Sequence, residues 1–474
     1  MTALKRSIKI TYGMGQVAES VTGAGFNTFL FLYFNQVLGL AGTYCGLAIF
    51  IAQAFDAVTD PLAGSVSDSC NSRLGRRHPF MYASSIPLAI FFFLMFIPPK
   101  DLGQIGLFLW LTIFAVLTRG ALTLFQVPHL ALGSELSNDY FERTSIFAYR
   151  TAIGMLGGVI ITMMGFFIFL PNTPEFPKGQ LNPAGYPYFA FFCSIILLIA
   201  VFSASFGTRR LIPNLPKASD DEVSFTPMRM VREFIEVWGN ASFRAIFMGA
   251  LSFFLYMGVS MTVTPLLNTF FWGFGSSQLG MLAVPMGVGF MIGSVLTRRA
   301  QEIFDKRNAM IIGACIMAVF QVLPVFLRLL GFFPENGDPF LLPLIFIIML
   351  ASSIFGGITA VTVFSMMSDI VREHEYTTGK RRDGIFFAAN SFSQKINSGL
   401  GNAIAGFLID FIRFPVNANP DTVAHETLVK LGILFMCAAG LNILAAYCVS
   451  FYKISRQRHE EVMTALEERY KGAS

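Results

Sequence analysis

The sequence predicts an all-α integral membrane protein in which twelve transmembrane helices form two six-helix bundles. Of its 474 residues, 54% are hydrophobic and only 13% are charged, so the chain is far more apolar than a soluble domain. Mostly apolar stretches, each long enough at 1.5 Å per residue to cross roughly 30 Å of hydrocarbon, recur about twelve times. The basic residues fall on alternate connecting loops, which also indicates a chain that crosses a membrane repeatedly.

The apolar stretches place one helix after another along both halves of the chain. The first set is predicted at 12–37, 43–66, 80–97, 105–133, 146–170 and 188–206, and the second at 243–272, 278–296, 309–332, 341–367, 385–412 and 428–452. Residues 208–240 combine a basic start with an acidic run, a composition that indicates a cytoplasmic linker. The predicted domains are therefore 1–207, the linker 208–240, 241–454, and a short charged tail at 455–474.

Two short internal similarities indicate that the halves are duplicates. The tripeptide at 64–66 recurs at 293–295, in each case after the second helix of its half. The segment 135–148, which begins with Glu135, resembles the segment 369–388, which begins with Asp369. Transporter folds built from such repeats place a binding site near the bilayer midplane, between the halves.

The positive charge of the chain is explained by membrane topology. Lys and Arg cluster at 5–9, 73–77, 209–217, 298–307, 372–382 and 453–458, so the positive-inside rule predicts cytoplasmic termini in a multi-pass protein of the cell membrane. The net charge of +5 therefore calls for no nucleic-acid partner. The basic N-terminus leads into the first span without a cleavage site, so we expect the first helix to be retained.

Other classes of protein are disfavoured by missing motifs. The six cysteines have no CxxC spacing, so neither a disulfide framework nor a metal cluster is expected. A membrane enzyme would need a nucleophile with a base or a metal centre, and neither HExxH nor GxSxG occurs in the sequence. We expect no enzyme and no cofactor. A channel is the remaining alternative, although acids concentrated at one site favour occlusion and coupling over free conduction.

Two carboxylates lie four residues apart within the second predicted helix. Asp56 and Asp60 would share one helix face and point into one polar spot. Each ionised carboxylate at membrane depth costs on the order of 3 kcal/mol, and such residues usually mark an ion or substrate pathway. The pair predicts a transporter. The alternative is a structural role in which both acids pair with Arg150 and Lys395.

The loop after this helix carries an acid, a glycine and three arginines that we predict to act as a gate: Asp68, Arg73, Gly75, Arg76 and Arg77. Arginine and aspartate near helix ends can pair and thereby favour one open face of a transporter over the other. The alternative is a basic loop that serves only to orient the chain in the membrane.

Several motifs together resemble one transporter family. They lie at 56–61, 72–77, 127–136, 142–144, 149–150, 378–384 and 394–395. As a set they resemble the glycoside-pentoside-hexuronide:cation symporters of the major facilitator superfamily, a family related to sodium-coupled lysophosphatidylcholine symporters. The resemblance covers both halves. It implies the major facilitator fold, alternating access around a central cavity, and cation-coupled uptake of a sugar or glycoside.

The resemblance also implies a cation site. In that family the acids of the second helix hold the coupling cation, so Asp56 and Asp60 are the expected ligands, with Thr59 and Thr123 adding hydroxyl oxygens. Na⁺ is a hard ion that prefers several oxygens. Two neighbouring carboxylates can instead raise each other's pKa and share a proton. Na⁺ is favoured because Thr123 matches a family position linked to the cation, and H⁺ is the alternative.

Two basic residues match family positions that connect cation and substrate. We expect Arg150 to link the substrate site to the cation site, and Lys395 to contribute from the second half of the chain. A cation inside a membrane is costly unless it meets a carboxylate or an anionic substrate group. For Arg150 the alternative is a side chain that extends to the interface from the helix end.

The chain departs from the family where sugar-transporting members grip hydroxyl groups with carboxylates. Ser20 and Gln126 occupy those two positions, while Glu19 and Arg119 are charged residues outside the sugar-binding pattern. All four are candidate substrate residues, and Glu19 with Arg119 is equally well a buried structural pair. A lysophospholipid or another amphipathic anion is therefore the alternative substrate class. We expect a small-molecule substrate, a coupling cation, a lipid bilayer and a monomeric state.

Overall fold

The computed structural model describes residues 4–137, 139–215, 238–379 and 383–473, and every regular element in these ranges is helical. The first half contains α1 (Arg6–Ala24), α2 (Gly42–Asp68), α3 (His78–Met95), α4 (Gln104–Glu135), α5 (Tyr140–Met164) and α6 (Gly185–Thr208). The second half contains α7 (Ala241–Leu266), a long run at Ser276–Leu329, α10 (Leu341–Thr378), α11 (Asp383–Phe411) and α12 (His425–Ser450). The tail forms α13 (Arg456–Ala473).

The long run at Ser276–Leu329 is two helices joined by a sharp break. Asp305 has a φ of 64° and a ψ of 156°, which no α-helix accommodates, and it separates α8 at 276–304 from α9 at 306–329. The Asp305 carboxylate accepts a hydrogen bond of 2.7 Å from the backbone N–H of Lys306, the first residue of α9. With this break the described chain contains the twelve predicted helices and the tail helix.

Most of these helices are long and apolar enough to cross a membrane. By length and composition, nine helical elements of the described residues qualify, with Ser276–Leu329 counted as one. The other two predicted spans, α1 and α11, carry buried polar side chains such as Lys9 and Asn397. Polar residues on membrane helices face the protein interior because lipid cannot solvate them.

Three helices end in a wider π-helical turn. Such turns follow α1 at Gly25–Leu30 and Tyr33–Val37, α5 at Gly165–Phe169, and α7 at Leu267–Phe271. Because α1 and α7 are the first helices of the two halves, this shared ending agrees with the duplication that the sequence indicates.

The described chain divides into two compact units whose limits cut across the predicted domains. Unit 1 consists of the described part of Met1–Phe225 together with Met261–Ala283 and Asn402–Leu428. In it α1 packs on α5 and α6, α2 packs on α4, and α3 packs on both α4 and α6. The predicted domain boundaries stay a prediction, and the middle of the predicted linker, 216–237, lies outside the described residues.

Unit 2 consists of the described parts of Thr226–Ser260, Val284–Gly401 and Val429–Ser474. Its core joins α7, α9, α10 and α12 through buried side chains that include Phe243, Met310, Met366 and Val449. The tail helix α13 packs on α10, where the Arg458 guanidinium lies 5.5 Å from the ring centre of Tyr376.

The first turn of α2 is held by a side chain from α11. Within unit 1, Gly406 contacts Gly42 so closely that a Cβ on either residue would collide with the backbone of the other. This approach lets the Asp410 carboxylate accept hydrogen bonds from the backbone N–H of Gly42 at 2.8 Å and of Thr43 at 2.7 Å. The Thr43 hydroxyl donates a third, at 2.6 Å. Asp410 thereby caps a helix whose own N-cap residue, Ala41, has no acceptor side chain.

Candidate cation and substrate site

Two carboxylates of α2 face a threonine of α4. The Thr123 hydroxyl donates a hydrogen bond of 2.5 Å to Oδ1 of Asp56 and lies 3.1 Å from Oδ1 of Asp60. Asp56 and Thr123 are both buried. The i, i+4 spacing of the acids turns both towards α4, as the sequence predicts. The structure therefore brings together carboxylate and hydroxyl oxygens of the kind that a hard cation such as Na⁺ prefers.

An arginine one turn away on α4 approaches the same acid. Nη1 of Arg119 lies 3.7 Å from Oδ2 of Asp56, within ion-pair range but beyond a hydrogen bond. The guanidinium also lies over the ring of Phe26, 4.4 Å from its centre. Its Nε is buried and has no hydrogen-bond partner among the described residues. We call Asp56, Asp60, Arg119 and Thr123 the mid-helix cluster.

Thr59 is directed away from this cluster. Its hydroxyl donates to the backbone carbonyl of Phe55 at 2.9 Å, so it serves its own helix. Successive residues of an α-helix are about 100° apart around the axis, which separates Thr59 from Asp60. The cation-binding role of Thr59 stays a prediction, and the geometry gives it no contact with the carboxylates.

Glu19 and Arg150 form an ion pair between α1 and α5. Nη2 of Arg150 lies 3.5 Å from Oε2 of Glu19, and the Gln16 amide donates a short hydrogen bond to the same carboxylate oxygen. This differs from the structural pair of Glu19 with Arg119 that the sequence allows. Sequence spacing could not decide between the two guanidinium groups, because both lie on helices packed against α1.

The two positions that depart from sugar-binding carboxylates have different surroundings. The Ser20 hydroxyl donates to the backbone carbonyl of Gly154 on α5 at 2.7 Å, so it joins α1 to α5. Gln126 is half-buried on α4, three residues beyond Thr123. Their roles in substrate binding stay predictions.

His129 joins α1 to α4. Its Nε2 donates to the Tyr12 carbonyl at 2.9 Å, and the Tyr12 hydroxyl donates to the His129 carbonyl at 3.2 Å. The imidazole is buried between the rings of Tyr12 and Phe125, with centroid distances of 4.4 and 4.9 Å. These contacts give His129 a packing role between α1 and α4.

Lys395 belongs to unit 2, where it lies half-buried on α11. Two residues further along, the Asn397 amide donates to the Ser393 carbonyl at 2.8 Å and to the Ser393 hydroxyl at 2.9 Å. The role of Lys395 in coupling stays a prediction. Within the described ranges, no three His, Cys, Asp or Glu side chains group as a metal site.

Three of the five predicted gate residues, Asp68, Arg76 and Arg77, meet at the ends of α2 and α4. Arg77 donates to the Ser67 hydroxyl at 2.7 Å, to Glu135 at 2.9 and 3.1 Å, and pairs closely with Asp68. Arg76 reaches the same Glu135 oxygen at 2.8 Å. We call Asp68, Arg76, Arg77 and Glu135 the loop cluster. Gly75, with a φ of 75°, provides the left-handed turn that returns the chain to α3, while Arg73 is exposed in this loop.

Glu135 is the residue of this cluster that the gate prediction leaves out. The internal similarity of 135–148 to 369–388 is the signal that identifies it, because unit 2 repeats the arrangement. There Nζ of Lys306, at the start of α9, donates 2.7 Å hydrogen bonds to both oxygens of Asp369 on α10. His459 of the tail helix lies 3.2 Å from Asp369, and the Tyr452 hydroxyl lies 3.5 Å from it.

Long apolar helices, with Asp56 and Asp60 facing a hydroxyl group between α2 and α4, are features of a membrane transporter. The model of the family described as MFS/sugar transport protein matches residues 11–456, and the chain belongs to this family. The fold and the transporter class predicted from the sequence are thereby confirmed, and the relatives are transporters rather than enzymes.

Relatives along the whole chain are distant. The inner membrane symporter YicJ of Escherichia coli is 24% identical, covering 97% of this chain and 94% of that protein. The putative glycoside/cation symporter YagG of Escherichia coli is 24% identical, with coverage of 98% and 96%. The sodium-dependent lysophosphatidylcholine symporter 1 of Gallus gallus is also 24% identical, with coverage of 97% and 89%. The crystal structure of the nucleoside transporter NupG matches with a TM-score of 0.63 at 12% identity, over 94% of this chain and 99% of that one, which shows the fold alone.

Proposed function

We propose that this protein is a cation-coupled symporter that takes up a sugar or glycoside by alternating access, with Na⁺ as the coupling ion. The observation that carries the proposal is the Asp56–Thr123–Asp60 arrangement, which gathers carboxylate and hydroxyl oxygens at 2.5 and 3.1 Å between α2 and α4. Each ionised carboxylate inside a membrane costs about 3 kcal/mol, and such residues usually belong to an ion or substrate pathway.

Sugar or glycoside is proposed first because the family is one of sugar transport proteins and a relative is named a putative glycoside/cation symporter. Alternating access follows from the duplicated helical halves. We further propose that the transporter is a monomer in the cell membrane. Both termini are proposed to be cytoplasmic, since Lys and Arg cluster near both termini and on alternate loops. Coupling of this kind needs no cofactor besides the ion.

Uptake by reconstituted proteoliposomes tests this function. We expect a panel of radiolabelled glycosides to include one that accumulates when Na⁺ is high outside, and not when K⁺ replaces Na⁺. An imposed pH gradient without Na⁺ measures proton coupling in the same vesicles. Asp60→Asn should abolish accumulation while exchange of labelled for unlabelled glycoside is less affected, because the substrate cavity remains. Full uphill uptake by Asp60→Asn contradicts the cation site.

A lysophospholipid is the second candidate substrate. It is favoured by the guanidinium groups of Arg119 and Arg150 in a chain whose Ser20 and Gln126 replace the carboxylates suited to sugar hydroxyls. A relative is named for sodium-dependent transport of lysophosphatidylcholine. Labelled lysophosphatidylcholine added to the same panel separates the candidates, and Na⁺-dependent uptake of this lipid with no glycoside uptake selects the second.

A further inference from the structure

The strongest unexplained feature of the mid-helix cluster is the side chain of Arg119, which is 16% exposed and has a buried Nε without a hydrogen-bond partner among the described residues. Arg119 approaches Asp56 at 3.7 Å without a hydrogen bond, and its Nε has no partner among the described residues. A buried arginine is normally held by charge-assisted hydrogen bonds of about 2.7–2.9 Å. The side chain is therefore held beside the carboxylate more loosely than a structural ion pair would be.

The position of Arg119 is nevertheless fixed. Phe26 is 2% exposed and lies beneath the guanidinium at 4.4 Å, so the cation–π contact and the packing keep the group next to Asp56. Arg119 and Thr123 are four residues apart on α4, and Asp56 and Asp60 are four apart on α2. Asp56 consequently turns one oxygen to the hydroxyl of Thr123 and the other to the positive charge of Arg119.

A cation bound between Asp56, Asp60 and Thr123 would share the Asp56 carboxylate with this guanidinium. Two positive charges on one carboxylate repel each other, so binding of the ion must weaken the hold of Arg119, and Arg119 must weaken the hold of the ion. Na⁺ and the Arg119 guanidinium thus compete for the Asp56 carboxylate, and each lowers the affinity of the carboxylate for the other by the same free energy.

We propose that Arg119 is an internal counter-ion of Asp56 that competes with Na⁺ and so sets the cation affinity of the site. This inference rests on the proposed cation site and adds a positioning residue to it. An empty site keeps its carboxylate compensated by Arg119, and an occupied site releases the guanidinium.

Binding of ²²Na⁺ to the purified full-length protein in detergent, without any substrate, tests the inference. Arg119→Gln should bind Na⁺ at least about tenfold more tightly than the unmodified protein, because it removes a charge-assisted competitor. Arg119→Lys keeps the charge and should stay within about threefold. Lys9→Gln is the matched control: it removes one buried positive charge that pairs with Glu142 at 3.0 Å, and its Na⁺ affinity should be unchanged.

Phe26→Leu keeps the experiment decisive if Arg119→Gln does not fold. It loosens the guanidinium without removing it, so Na⁺ affinity should rise by about twofold to fivefold. Unchanged or weaker Na⁺ binding in Arg119→Gln and in Phe26→Leu overturns the inference, while loss of ²²Na⁺ binding in Asp60→Asn still upholds the cation site. If Asp60→Asn binds ²²Na⁺ as the unmodified protein does, or if no variant binds it, the cation site itself is wrong.

Discussion

Helices α2 and α4 carry two ionic clusters, and the arginines Arg77 and Arg119 approach their acids at different distances in them. In the loop cluster Arg77 makes direct hydrogen bonds of 2.7 to 3.1 Å with Ser67 and Glu135, and only 6% of its side chain is exposed. In the mid-helix cluster Arg119 stands 3.7 Å from Asp56 and keeps a buried Nε without a partner in the described structure. On the same pair of helices, Arg77 is thus joined to its acid by direct hydrogen bonds, whereas Arg119 is not.

Breaking the mid-helix cluster should have the largest effect on transport and a small effect on stability. Asp60→Asn should reduce Na⁺-driven accumulation to background, because a cation site without this charge loses a main ligand. Asp56→Asn together with Asp60→Asn should be hardly worse than Asp60→Asn alone, since in the proposed site both acids would bind one ion. Uptake into proteoliposomes and thermal melts of each variant measure the two effects.

A melting temperature for Asp60→Asn that falls as far as that of a loop-cluster variant would contradict this contrast. So would a double variant whose uptake defect is the product of two independent partial defects.

Breaking the loop cluster should have the opposite signature. Arg77→Ala removes the group that compensates Glu135 and Asp68, and loss of one partner from a buried ion pair costs about 3 kcal/mol in the free energy of unfolding. Arg73→Ala in the same loop is the control, because Arg73 is exposed and its removal should change stability by less than about 0.5 kcal/mol. Denaturant unfolding of the two variants in detergent makes the comparison, and equal stabilities would refute it.

Two threonines near the acids sharpen the difference between a ligand and a bystander. Thr123→Val should weaken Na⁺ binding about tenfold, because the hydroxyl that bridges Asp56 and Asp60 is lost. Thr59→Val has the same change of side chain but removes a hydroxyl bonded to its own helix, so Na⁺ affinity should change by less than about twofold. Binding of ²²Na⁺ measures the affinity of each variant. An equal loss of Na⁺ affinity in Thr123→Val and Thr59→Val would indicate that Thr59 also binds the cation.

The smallest effect is expected at the pair of α1 and α5. Glu19 has a side chain that is 39% exposed and lies 3.5 Å from Arg150, so Glu19→Gln should lower the free energy of unfolding by less than about 1 kcal/mol. Arg119 is not left without an acid in this variant, because it faces Asp56. Denaturant unfolding measures the change, and a larger loss that Arg119→Gln recovers would restore the structural pair of Glu19 with Arg119.

Most of the helices were predictable because a segment that crosses a bilayer needs about 20 mostly apolar residues. Each predicted span overlaps a helix of the structure, and the largest disagreements are at helix ends, as for α10, which continues from the predicted 367 to Thr378. The i, i+4 spacing also sufficed to turn Asp56 and Asp60 towards one partner. The sequence shows a polar stretch between two apolar ones around Asp305. It does not show the backbone conformation that breaks the helix there.

The pairing of charges could not be predicted, because it depends on how each helix is rotated about its axis. Arg119 and Arg150 are both basic residues on helices packed near α1, and no pattern in the chain assigns Glu19 to Arg150 and Asp56 to Arg119. Phe26 beneath Arg119 was equally hidden among 52 phenylalanines. Periodicity predicts which residues share one face of a helix. Which residue they contact depends on how two packed helices are rotated and shifted relative to each other.

The cap that Asp410 supplies to α2 makes the helix that carries Asp56 and Asp60 dependent on another helix for its first turn. Two backbone N–H groups and one hydroxyl end on this single carboxylate. Whenever the ends of α2 and α11 part, water has to take over these donors, and loss of such a cap costs about 1 kcal/mol. The first turn of α2 then frays, so an opening at this end registers as a loss of amide hydrogen-exchange protection at Gly42 and Thr43.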